Sequence, residues 1–351
     1  MSEHTLYSSQ PYTRSFVDST MFLSIIIPHY NLPDKLLERC LQSIITLGLP
    51  FDDYEVIVID DGSKTPPTWA TSLSRNIKLI NAPHGGPGNA RNIGIEQACG
   101  NYIMFVDADD YLINNGEIFN CIEKLKEDRP QVLRYHYIVE KDGSRPIRAK
   151  KKKTKFNNTI SGATFMEKHN LSGSPCIYFF QRELALRKGI KFPTNIFHED
   201  EEFNTILHYH AQTLIESDAV LYAYCIRNGS TTANKSTSFK KERVKDMLHI
   251  IERIHFFVQS NKEKSNAIQA RATAHKLDML TADVILNMMY AGMNAKEIKE
   301  TCKERLSPIG LYPLRKASYS LKYRIFRATA NNTFGLHLLR KLFPKHKSAK
   351  K

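Results

Sequence analysis

The sequence predicts an α/β protein in which a mainly parallel, Rossmann-like sheet is flanked by helices and followed by a helical appendage. Up to residue 115, short apolar runs of strand-forming residues alternate with amphipathic helical stretches. Such alternation requires crossover connections, which place successive strands parallel in one sheet. From Lys240 onward, the pattern changes to long helical stretches rich in Leu, Met and Ala. We therefore expect a leader at 1–20, an α/β domain at 21–235 with halves 21–115 and 116–235, and a helical region at 236–351.

Each predicted strand of the first half is a short apolar run that ends in a polar loop. This is the pattern of strands that are buried on both faces of a sheet. The four runs are Leu23–Pro28, Tyr54–Ile59, Ile77–Asn81 and Tyr102–Val106. The two predicted helices are Lys35–Leu47, with Asp34 as its N-cap, and Asn89–Cys99, which follows a flexible turn at His84–Gly88.

The second half has a less regular pattern of helices and strands. The predicted helices are Asn114–Glu127, Ser161–His169 and Phe203–His210, and the predicted strands are Gln131–Glu140 and Ala219–Tyr224. The six cysteines are scattered without a CxxC pair, which argues against a disulfide framework and indicates a reducing compartment. Residues 1–20 lack the plan of a signal peptide, and no run approaches the ~18 apolar residues of a membrane-spanning helix.

The net charge of +14 is concentrated in two segments. Residues 144–155 carry seven basic residues and no acid, and residues 305–351 carry twelve and no acid, so the rest of the chain is mildly acidic. The second segment mixes Leu, Ile, Phe and Tyr with its basic residues, which is typical of a helix lying on an anionic membrane surface. The alternative is an amphipathic helix packed on the core with a solvated tail. No aromatic pattern of RNA-binding proteins accompanies either segment, so nucleic-acid binding is not expected.

Three carboxylates, Asp107, Asp109 and Asp110, follow the strand that ends at Val106. On an extended backbone, residues two apart point the same way, so Asp107 and Asp109 would repel each other unless a cation lies between them. Hard divalent ions such as Mg²⁺ and Mn²⁺ take oxygen ligands and often share them with a phosphate. A metal site is one interpretation of this stretch, and a solvated acidic turn is the other.

Two further polar segments come at the carboxyl ends of predicted strands. They are Pro28-His29-Tyr30-Asn31 and Asp60-Asp61-Gly62-Ser63. Because ligands of open α/β sheets bind outside the carboxyl ends of the strands, we expect these segments and the three carboxylates to line one crevice. The sequence contains no GxGxxG fingerprint and no GxxxxGK[ST] loop, which counts against dinucleotide oxidoreductases and P-loop enzymes.

Four motifs follow one another in order. They are Ser24-Ile-Ile-Ile-Pro-His-Tyr-Asn31, Val56-Ile-Val-Ile-Asp-Asp-Gly-Ser63, Gly85-Gly-Pro-Gly-Asn-Ala-Arg-Asn-Ile-Gly94 and Phe105-Val-Asp-Ala-Asp-Asp-Tyr-Leu112. Each is weak alone, but together they resemble the family 2 glycosyltransferases of bacterial cell-surface polysaccharide synthesis, which are inverting enzymes of the GT-A fold. The resemblance is close over residues 22–115.

The resemblance implies a nucleotide-sugar site. Tyr30 would stack on the base, Asp60 or its neighbour Asp61 would accept hydrogen bonds from base or ribose, and Arg91 would reach the base or the diphosphate. Asp109 would hold Mg²⁺ or Mn²⁺, with Asp107 on the ribose or the ion. The full predicted donor-binding set is Pro28, Tyr30, Asn31, Asp60, Asp61, Arg91, Asp107, Ala108 and Arg227, the last on a phosphate. Each of these residues also has an ordinary structural interpretation that does not depend on the resemblance. Tyr30 would be an aromatic residue of a loop, Asp60-Asp61 part of a tight turn, and Arg91 and Arg227 surface charges.

The block Phe197-His-Glu-Asp-Glu-Glu202 resembles the acceptor half of the same family, where the Asp of Glu-Asp is the catalytic base. That role maps onto Asp200, with Glu199 as the second candidate and His198 as an orienting residue. Alternatively, the four acids only favour the positive N-terminus of the helix at Phe203–His210. Many relatives carry Trp-x-Lys where this chain has Cys176-Ile-Tyr178, so the local acceptor contacts differ.

The resemblance predicts a glycosyltransferase that moves a sugar from a nucleotide-sugar donor, of which a UDP-sugar is the leading candidate. The acceptor would be a hydroxyl of a glycan or of a lipid-linked acceptor. The enzyme would act in the cytoplasm, peripheral to the inner face of the cell membrane, with residues 305–351 on anionic lipid. The alternatives are a non-catalytic nucleotide-sugar-binding protein at the membrane surface and a nucleotidyltransferase. The latter normally has a Gly-rich loop with Arg and Lys after its first strand, where this chain has Pro28-His29-Tyr30-Asn31.

Overall fold

The computed structural model describes residues 21–141, 153–171, 173–227, 236–317 and 319–342. The predicted leader at 1–20 and the end of the basic tail lie outside these ranges. So do most of the basic segment 144–155 and the predicted domain boundary at residue 235. The division into domains therefore stays a prediction.

The core of the fold is a mixed eight-stranded sheet with helices packed against it. Its strands are β1 (Leu23–His29), β2 (Tyr54–Asp60), β3 (Ile77–Asn81), β4 (Tyr102–Phe105), β5 (Tyr111–Leu112), β6 (Val132–Lys141), β7 (Tyr178–Gln181) and β8 (Leu214–Ile226). They lie in the order β3-β2-β1-β4-β7-β6-β8-β5. The first four are parallel neighbours, whereas β7 runs antiparallel to both β4 and β6. The predicted α/β class is confirmed, but β5 and β7 were not predicted, because runs of two and four residues carry too little periodicity.

Helices connect the strands and continue beyond the sheet. They are α1 (Asp34–Ile45), α2 (Gly86–Gln97), α3 (Glu117–Asp128), α4 (Gly162–Lys168), α5 (Arg182–Lys188), α6 (Glu199–His210), α7 (Thr237–Ser260), α8 (Ala267–Tyr290), α9 (Ala295–Thr301), α10 (Leu321–Ala330) and α11 (Thr333–Leu342). No helix in the described part of the chain combines the length and apolar character needed to cross a bilayer.

Several predicted element boundaries were wrong. Asp34 is the first residue of α1 and makes no capping hydrogen bond. The segment predicted as a flexible turn at 84–88 instead starts α2 at Gly86, because Pro87 lacks only an N–H that the first turn leaves unpaired anyway. Similarly, α6 starts at Glu199 rather than at Phe203, so its four acids lie within the first turn. Strand β8 is longer than the predicted Ala219–Tyr224 because both of its ends, 214–216 and 225–226, pair with β6.

Two large clusters of buried apolar side chains stabilise the described part of the chain, besides a minor cluster of Tyr111, Ile113 and Ala223. The larger cluster lies on both faces of the sheet, where the apolar runs of β1, β2 and β4 are almost completely buried. The smaller cluster joins α7, α8 and α9 to the C-terminal helices. Burial of apolar surface supplies the main driving force for both clusters.

Part of the predicted membrane segment 305–351 is packed against the protein instead. Leu311 and Leu314 are buried in the smaller cluster. Arg305 pairs with Glu252 at 2.6 Å, and Arg315 pairs with Asp278 at 2.7 Å. Residues 305–315 therefore follow the second interpretation, a segment packed on the core. Among the described residues, the predicted membrane contact is then limited to α10 and α11.

Candidate active site

The carboxyl ends of β1 and β2 bring the first two predicted segments together. The strands pair in parallel register up to His29 opposite Asp60, and the N–H of Asp61 donates to the carbonyl oxygen of His29 at 2.8 Å. Pro28 still lies within β1, while Asn31 has a positive φ of 47° and turns the chain away from the sheet. The Asn31 side chain accepts from the N–H of Lys64 at 3.0 Å, which joins the two loops.

Tyr30 presents an aromatic ring at the mouth of this crevice. Its side chain is 45% exposed, and its ring stacks on His84 with a centroid separation of 4.2 Å. A flat, half-exposed ring supported from one side is suited to stacking on a planar base. Stacking of Tyr30 on a nucleotide base stays a prediction.

Asp60 and Asp61 are buried, and their oxygens already have partners. Asp60 contacts His29 Nδ1 at 2.9 Å and accepts from the N–H of Ser63 at 3.1 Å. Asp61 accepts from the N–H groups of Gly85 and Gly86 at 2.8 and 2.9 Å. Asp61 therefore fixes the start of α2 against the end of β2. Direct contact of either carboxylate with a nucleotide stays a prediction.

The acidic stretch after β4 forms a turn rather than an extended strand. β4 ends at Phe105, and the N–H of Asp110 donates to the carbonyl oxygen of Asp107 at 3.0 Å. The prediction that Asp107 and Asp109 point the same way on an extended backbone was therefore wrong. Ala108, between them, is buried.

Each acid of this turn has a different partner. Asp107 pairs with Arg91 at 2.9 Å and Asp109 with Arg227 at 2.6 Å. Asp110 is buried and accepts from the Tyr222 hydroxyl at 2.5 Å and from the N–H of Cys225 at 2.7 Å. Burial, followed by the nearby charge of Asp107, raises the pKa of Asp110 to about 8. Asp110 thus attaches β8, and with it Arg227, to the acidic turn.

Asp107 and Asp109 fit a hard divalent cation. Their side chains are 35% and 22% exposed, and each contacts its arginine through a single oxygen. Within the described ranges, no group of three His, Cys, Asp or Glu side chains is arranged to hold a metal ion. Mg²⁺ is commonly held by one or two carboxylates together with phosphate oxygens, which requires no such group.

Arg91 is buried and connects the two halves of the site. Its guanidinium donates to Asp107 at 2.9 Å and to Glu199 Oε1 at 3.0 Å. The ring of Phe192 lies beside it, 5.4 Å from the guanidinium carbon. Both ends of the fork are therefore occupied by carboxylates. In this arrangement Arg91 positions the acidic turn relative to α6, and its predicted contact with base or diphosphate stays a prediction.

Three of the four acids in the first turn of α6 pair with a basic side chain from another helix. Glu199 pairs with Arg91 of α2 at 3.0 Å, Glu201 with Lys276 of α8 at 2.5 Å, and Glu202 with Arg253 of α7 at 2.6 Å. Among the described residues, Asp200 has no ion-pair partner.

The surroundings of Asp200 favour its protonated form. Burial raises the pKa of this carboxyl, the charges of Glu199 and Glu201 raise it further, and the pKa reaches about 8. The pKa of Asp200 therefore lies close to neutral pH, and a carboxylate with such a pKa is effective as a proton acceptor. The preceding His198 has a positive φ of 67°, and burial lowers its pKa to about 4, so its imidazole is neutral.

Sequence reasoning missed several residues of the site. Arg39 donates to the carbonyl oxygen of Asp109, and Lys276 and Arg253 hold the first turn of α6. Tyr222 and Asp110 were not assigned roles either. Their partners are distant in sequence, so no local signal marked them.

The segment Cys176-Ile-Tyr178, where many relatives carry Trp-x-Lys, lies in the interior. Cys176 and Tyr178 are completely buried, and the Tyr178 hydroxyl donates to Asn204 of α6. The segment therefore supports the helix that carries Asp200.

Comparison of the sequence with known proteins finds glycosyltransferases. Residues 24–188 match Glycosyl transferase family 2. The chain is 26% identical to an uncharacterized glycosyltransferase, EpsJ of Bacillus subtilis, over 81% of this chain and 83% of that protein. It is 33% identical to the poly(ribitol-phosphate) β-N-acetylglucosaminyltransferase TarS of Staphylococcus aureus over 118 residues, which are 32% of this chain but only 20% of TarS.

Comparison with solved structures finds the same fold. Residues 1–349 of S. aureus TarS superpose with a TM-score of 0.58 at 18% identity, covering 93% of each chain. TarS has also been solved with UDP and with UDP-GlcNAc. The mannosyltransferase PcManGT of Pyrobaculum calidifontis, solved with GDP-Man and Mn²⁺, superposes with a TM-score of 0.53 at 16% identity, covering 93% of this chain and 89% of its own.

Proposed function

This chain belongs to glycosyl transferase family 2, and on that basis we propose that it transfers a sugar from a nucleotide-sugar with inversion at the anomeric carbon. The sugar acceptor would be a hydroxyl of a glycan or a lipid-linked acceptor. The reaction is a single in-line displacement, in which the acceptor oxygen bonds to the anomeric carbon as the bond to the nucleoside diphosphate breaks. Such a displacement needs a base for the hydroxyl proton and a site that stabilises the leaving group.

Asp200 is the base in this proposal. The observation that carries the assignment is that Glu199, Glu201 and Glu202 pair with Arg91, Lys276 and Arg253, whereas Asp200 has no such partner among the described residues. A carboxylate without a cation keeps its affinity for a proton, and burial increases that affinity. Glu199 is the weaker candidate because its charge is already compensated by Arg91.

The donor half of the site lies on the other side of Arg91. Tyr30 stacks on the base, and Asp109, with Asp107 beside it, holds Mg²⁺ or Mn²⁺. The cation, when bound, offsets negative charge that develops on the leaving diphosphate. Arg227, 2.6 Å from Asp109, adds a fixed positive charge next to the same diphosphate.

The names of similar proteins guide the choice of substrates. TarS is named for transfer of N-acetylglucosamine to poly(ribitol-phosphate), and a further relative is the minor teichoic acid biosynthesis protein GgaB of B. subtilis. We propose that this chain also modifies a cell-surface polymer or its lipid-linked precursor. A UDP-sugar is the first donor to test, because TarS has been solved with UDP-GlcNAc, and a GDP-sugar is the second because of PcManGT. The six cysteines are free, which agrees with the proposed cytoplasmic location.

A donor panel tests the proposal. Thermal unfolding is followed with UDP-, GDP- and dTDP-sugars in the presence of Mn²⁺, and a ligand present at 100 times its Kd stabilises the fold by about 2.7 kcal/mol. We expect one nucleotide class to raise Tm and the others to have little effect. Absence of stabilisation by every nucleotide-sugar would contradict the donor site.

A hydrolysis assay separates the enzyme from a non-catalytic binding protein. The stabilising nucleotide-sugar is incubated with the protein and Mn²⁺, and release of nucleoside diphosphate is measured. Slow release that is lost when Asp109 is replaced by Ala supports turnover at this site. Donor binding without any release, with or without candidate acceptors, would favour the binding protein.

A further inference from the structure

The helices α10 and α11 expose large apolar side chains. Leu321 and Ile325 of α10 are 67% and 57% exposed, and Phe334 and Leu338 of α11 are 81% and 45% exposed. The members of each pair are four residues apart and therefore lie on one side of their helix. We call these four residues the apolar row. Most exposed apolar side chains on a protein are single, so four on one helical hairpin indicate an interaction site.

The opposite side of the same hairpin is packed against the protein. Ala330 and Leu336 are fully buried in the smaller apolar cluster. The side chain of Asn331 exchanges hydrogen bonds with the backbone of Leu314, at 2.7 and 3.0 Å. Gly335 allows α11 to approach the carbonyl oxygen of Thr329 so closely that no Cβ would fit. The hairpin is thus held from within, and the apolar row does not contribute to its packing.

Basic residues accompany the apolar row. Lys322, Arg324 and Arg327 lie on α10, and Arg340 and Lys341 lie on α11. Among the described residues none of these five pairs with a carboxylate, in contrast to Arg305 and Arg315, whose charges are compensated. Residues 305–351 contain no acid. Lys322, Arg324 and Lys341 are exposed, so the hairpin presents uncompensated positive charge next to exposed apolar surface.

We propose that the α10–α11 hairpin docks this protein onto the surface of an anionic lipid bilayer. The apolar row enters the boundary between head groups and acyl chains, while the lysine and arginine side chains extend to the lipid phosphates. A continuous sheet of negative head groups compensates the exposed charges of Lys322, Arg324 and Lys341, which are spread over two helices, whereas a single protein partner would need a matching set of acids. The docking uses α10 and α11 and excludes residues 305–315, which pack inward.

Vesicle flotation tests the docking. The full chain is mixed with vesicles of phosphatidylcholine alone or with vesicles that also contain about 30 mol% phosphatidylglycerol, which supplies the anionic surface, and the bound fraction is measured. We expect binding to the anionic vesicles only, and weaker binding at high salt, because screening acts on exposed charges. Replacing Lys322 and Arg324 by Gln should reduce the partition coefficient roughly fivefold per charge. Equal binding to both vesicle types, or no binding to either, would overturn the proposal.

A matched pair of variants separates the apolar row from general surface hydrophobicity. Phe334→Glu places a charge in the apolar row, while Phe256→Glu changes a phenylalanine of α7 that is 73% exposed and lies elsewhere. We expect the first variant to lose flotation at least tenfold and the second to float like the native protein. Equal loss in both variants would overturn the assignment to α10 and α11.

Thermal unfolding and sedimentation are the controls for the flotation assay. Both variants should show the Tm of the native protein and its shift on adding nucleotide-sugar, so that lost flotation does not reflect unfolding or a damaged donor site. A failed donor panel would leave the flotation result unaffected, because the two sites share no residue. Sedimentation without vesicles should give the same mass for native protein and Phe334→Glu. Conversion of a dimer to a monomer by Phe334→Glu would overturn the bilayer as the occupant of this surface.

Discussion

Replacing Asp200 by Asn should abolish sugar transfer and at the same time stabilise the fold. Asn has nearly the shape of the protonated carboxyl, so it keeps the packing but cannot accept the acceptor proton. Loss of a general base typically lowers the rate by about 10²–10⁴-fold. Donor binding should stay near normal, because Asp200 lies on the α6 side of Arg91 and Asp107 lies on the other.

The stabilisation follows from the pKa of Asp200. The pKa of this carboxyl rises from its ordinary value of 3.8 to about 8 in the folded chain. At pH 7 the carboxyl is therefore ionised in the unfolded chain but mostly protonated in the folded chain, and this difference destabilises the fold. At 1.36 kcal/mol per pKa unit, removing this acid stabilises the fold on the order of a few kcal/mol.

The sign of the pH dependence can be checked in the same experiment. Because the folded-state pKa is raised, the contribution of Asp200 to stability is fully present below pH 4 and is lost as the pH rises towards 8. The Asn variant has no such loss, so its advantage over the native protein should grow between pH 4 and pH 8. Urea unfolding of both proteins across this range, without metal or nucleotide, measures the difference.

Glu201→Gln is the matched control in the same turn of α6. It leaves the buried Lys276 ammonium without its carboxylate partner, and breaking a buried pair in this way costs about 3–5 kcal/mol. The two substitutions should therefore change stability in opposite directions. If Asp200→Asn retains transfer, or destabilises the protein as Glu201→Gln does, Asp200 is a structural helix-terminus acid and the assignment as base fails.

Three other substitutions test the remaining parts of the site. Tyr30→Ala should weaken UDP binding by about 1–3 kcal/mol in calorimetric titration, since a base–aromatic stack is lost. The Tm of the free protein should not change, because the ring is half exposed. Unchanged affinity for UDP would show that Tyr30 is not part of the site. Arg227→Gln removes a positive charge 2.6 Å from Asp109 and should strengthen Mn²⁺ binding to the nucleotide-free protein several-fold by paramagnetic resonance titration; no change would argue against Asp109 as a ligand. Arg91→Gln should destabilise the fold by about 3–5 kcal/mol in urea, because Asp107 and Glu199 lose their shared partner, and a loss below about 1 kcal/mol would show that this bridge is weak in solution.

The sequence determined the fold class and the position of the crevice. The apolar runs that predict the first four strands end within two residues of the observed strands, because a strand buried on both faces requires apolar side chains at successive positions. Their polar ends at Tyr30, Asp60 and Asp107 meet at one sheet edge because the strands are parallel. Local pattern and chain topology were sufficient for these conclusions.

Element boundaries required the tertiary structure. The start of α6 at Glu199 depends on the left-handed backbone of His198, and the inward packing of Leu311 and Leu314 depends on a cluster built from α7, α8 and α9. The local pattern shows neither the backbone conformation of His198 nor the packing of Leu311 and Leu314. In the second case, the pattern is the same for a helix on a membrane and for a helix packed on the core.

Which acid pairs with which basic side chain was decided by the tertiary structure alone. In the local pattern, Glu199, Asp200, Glu201 and Glu202 are four similar carboxylates at a helix start, and only the family resemblance distinguishes Asp200. In the described part of the folded chain, α2, α8 and α7 bring a basic side chain to every one of them except Asp200. The acids of the turn after β4 likewise differ only through Arg91, Arg227 and Tyr222. The charge state of a carboxyl depends on its burial and on charges within a few ångströms, and these neighbours come from segments far away in the chain.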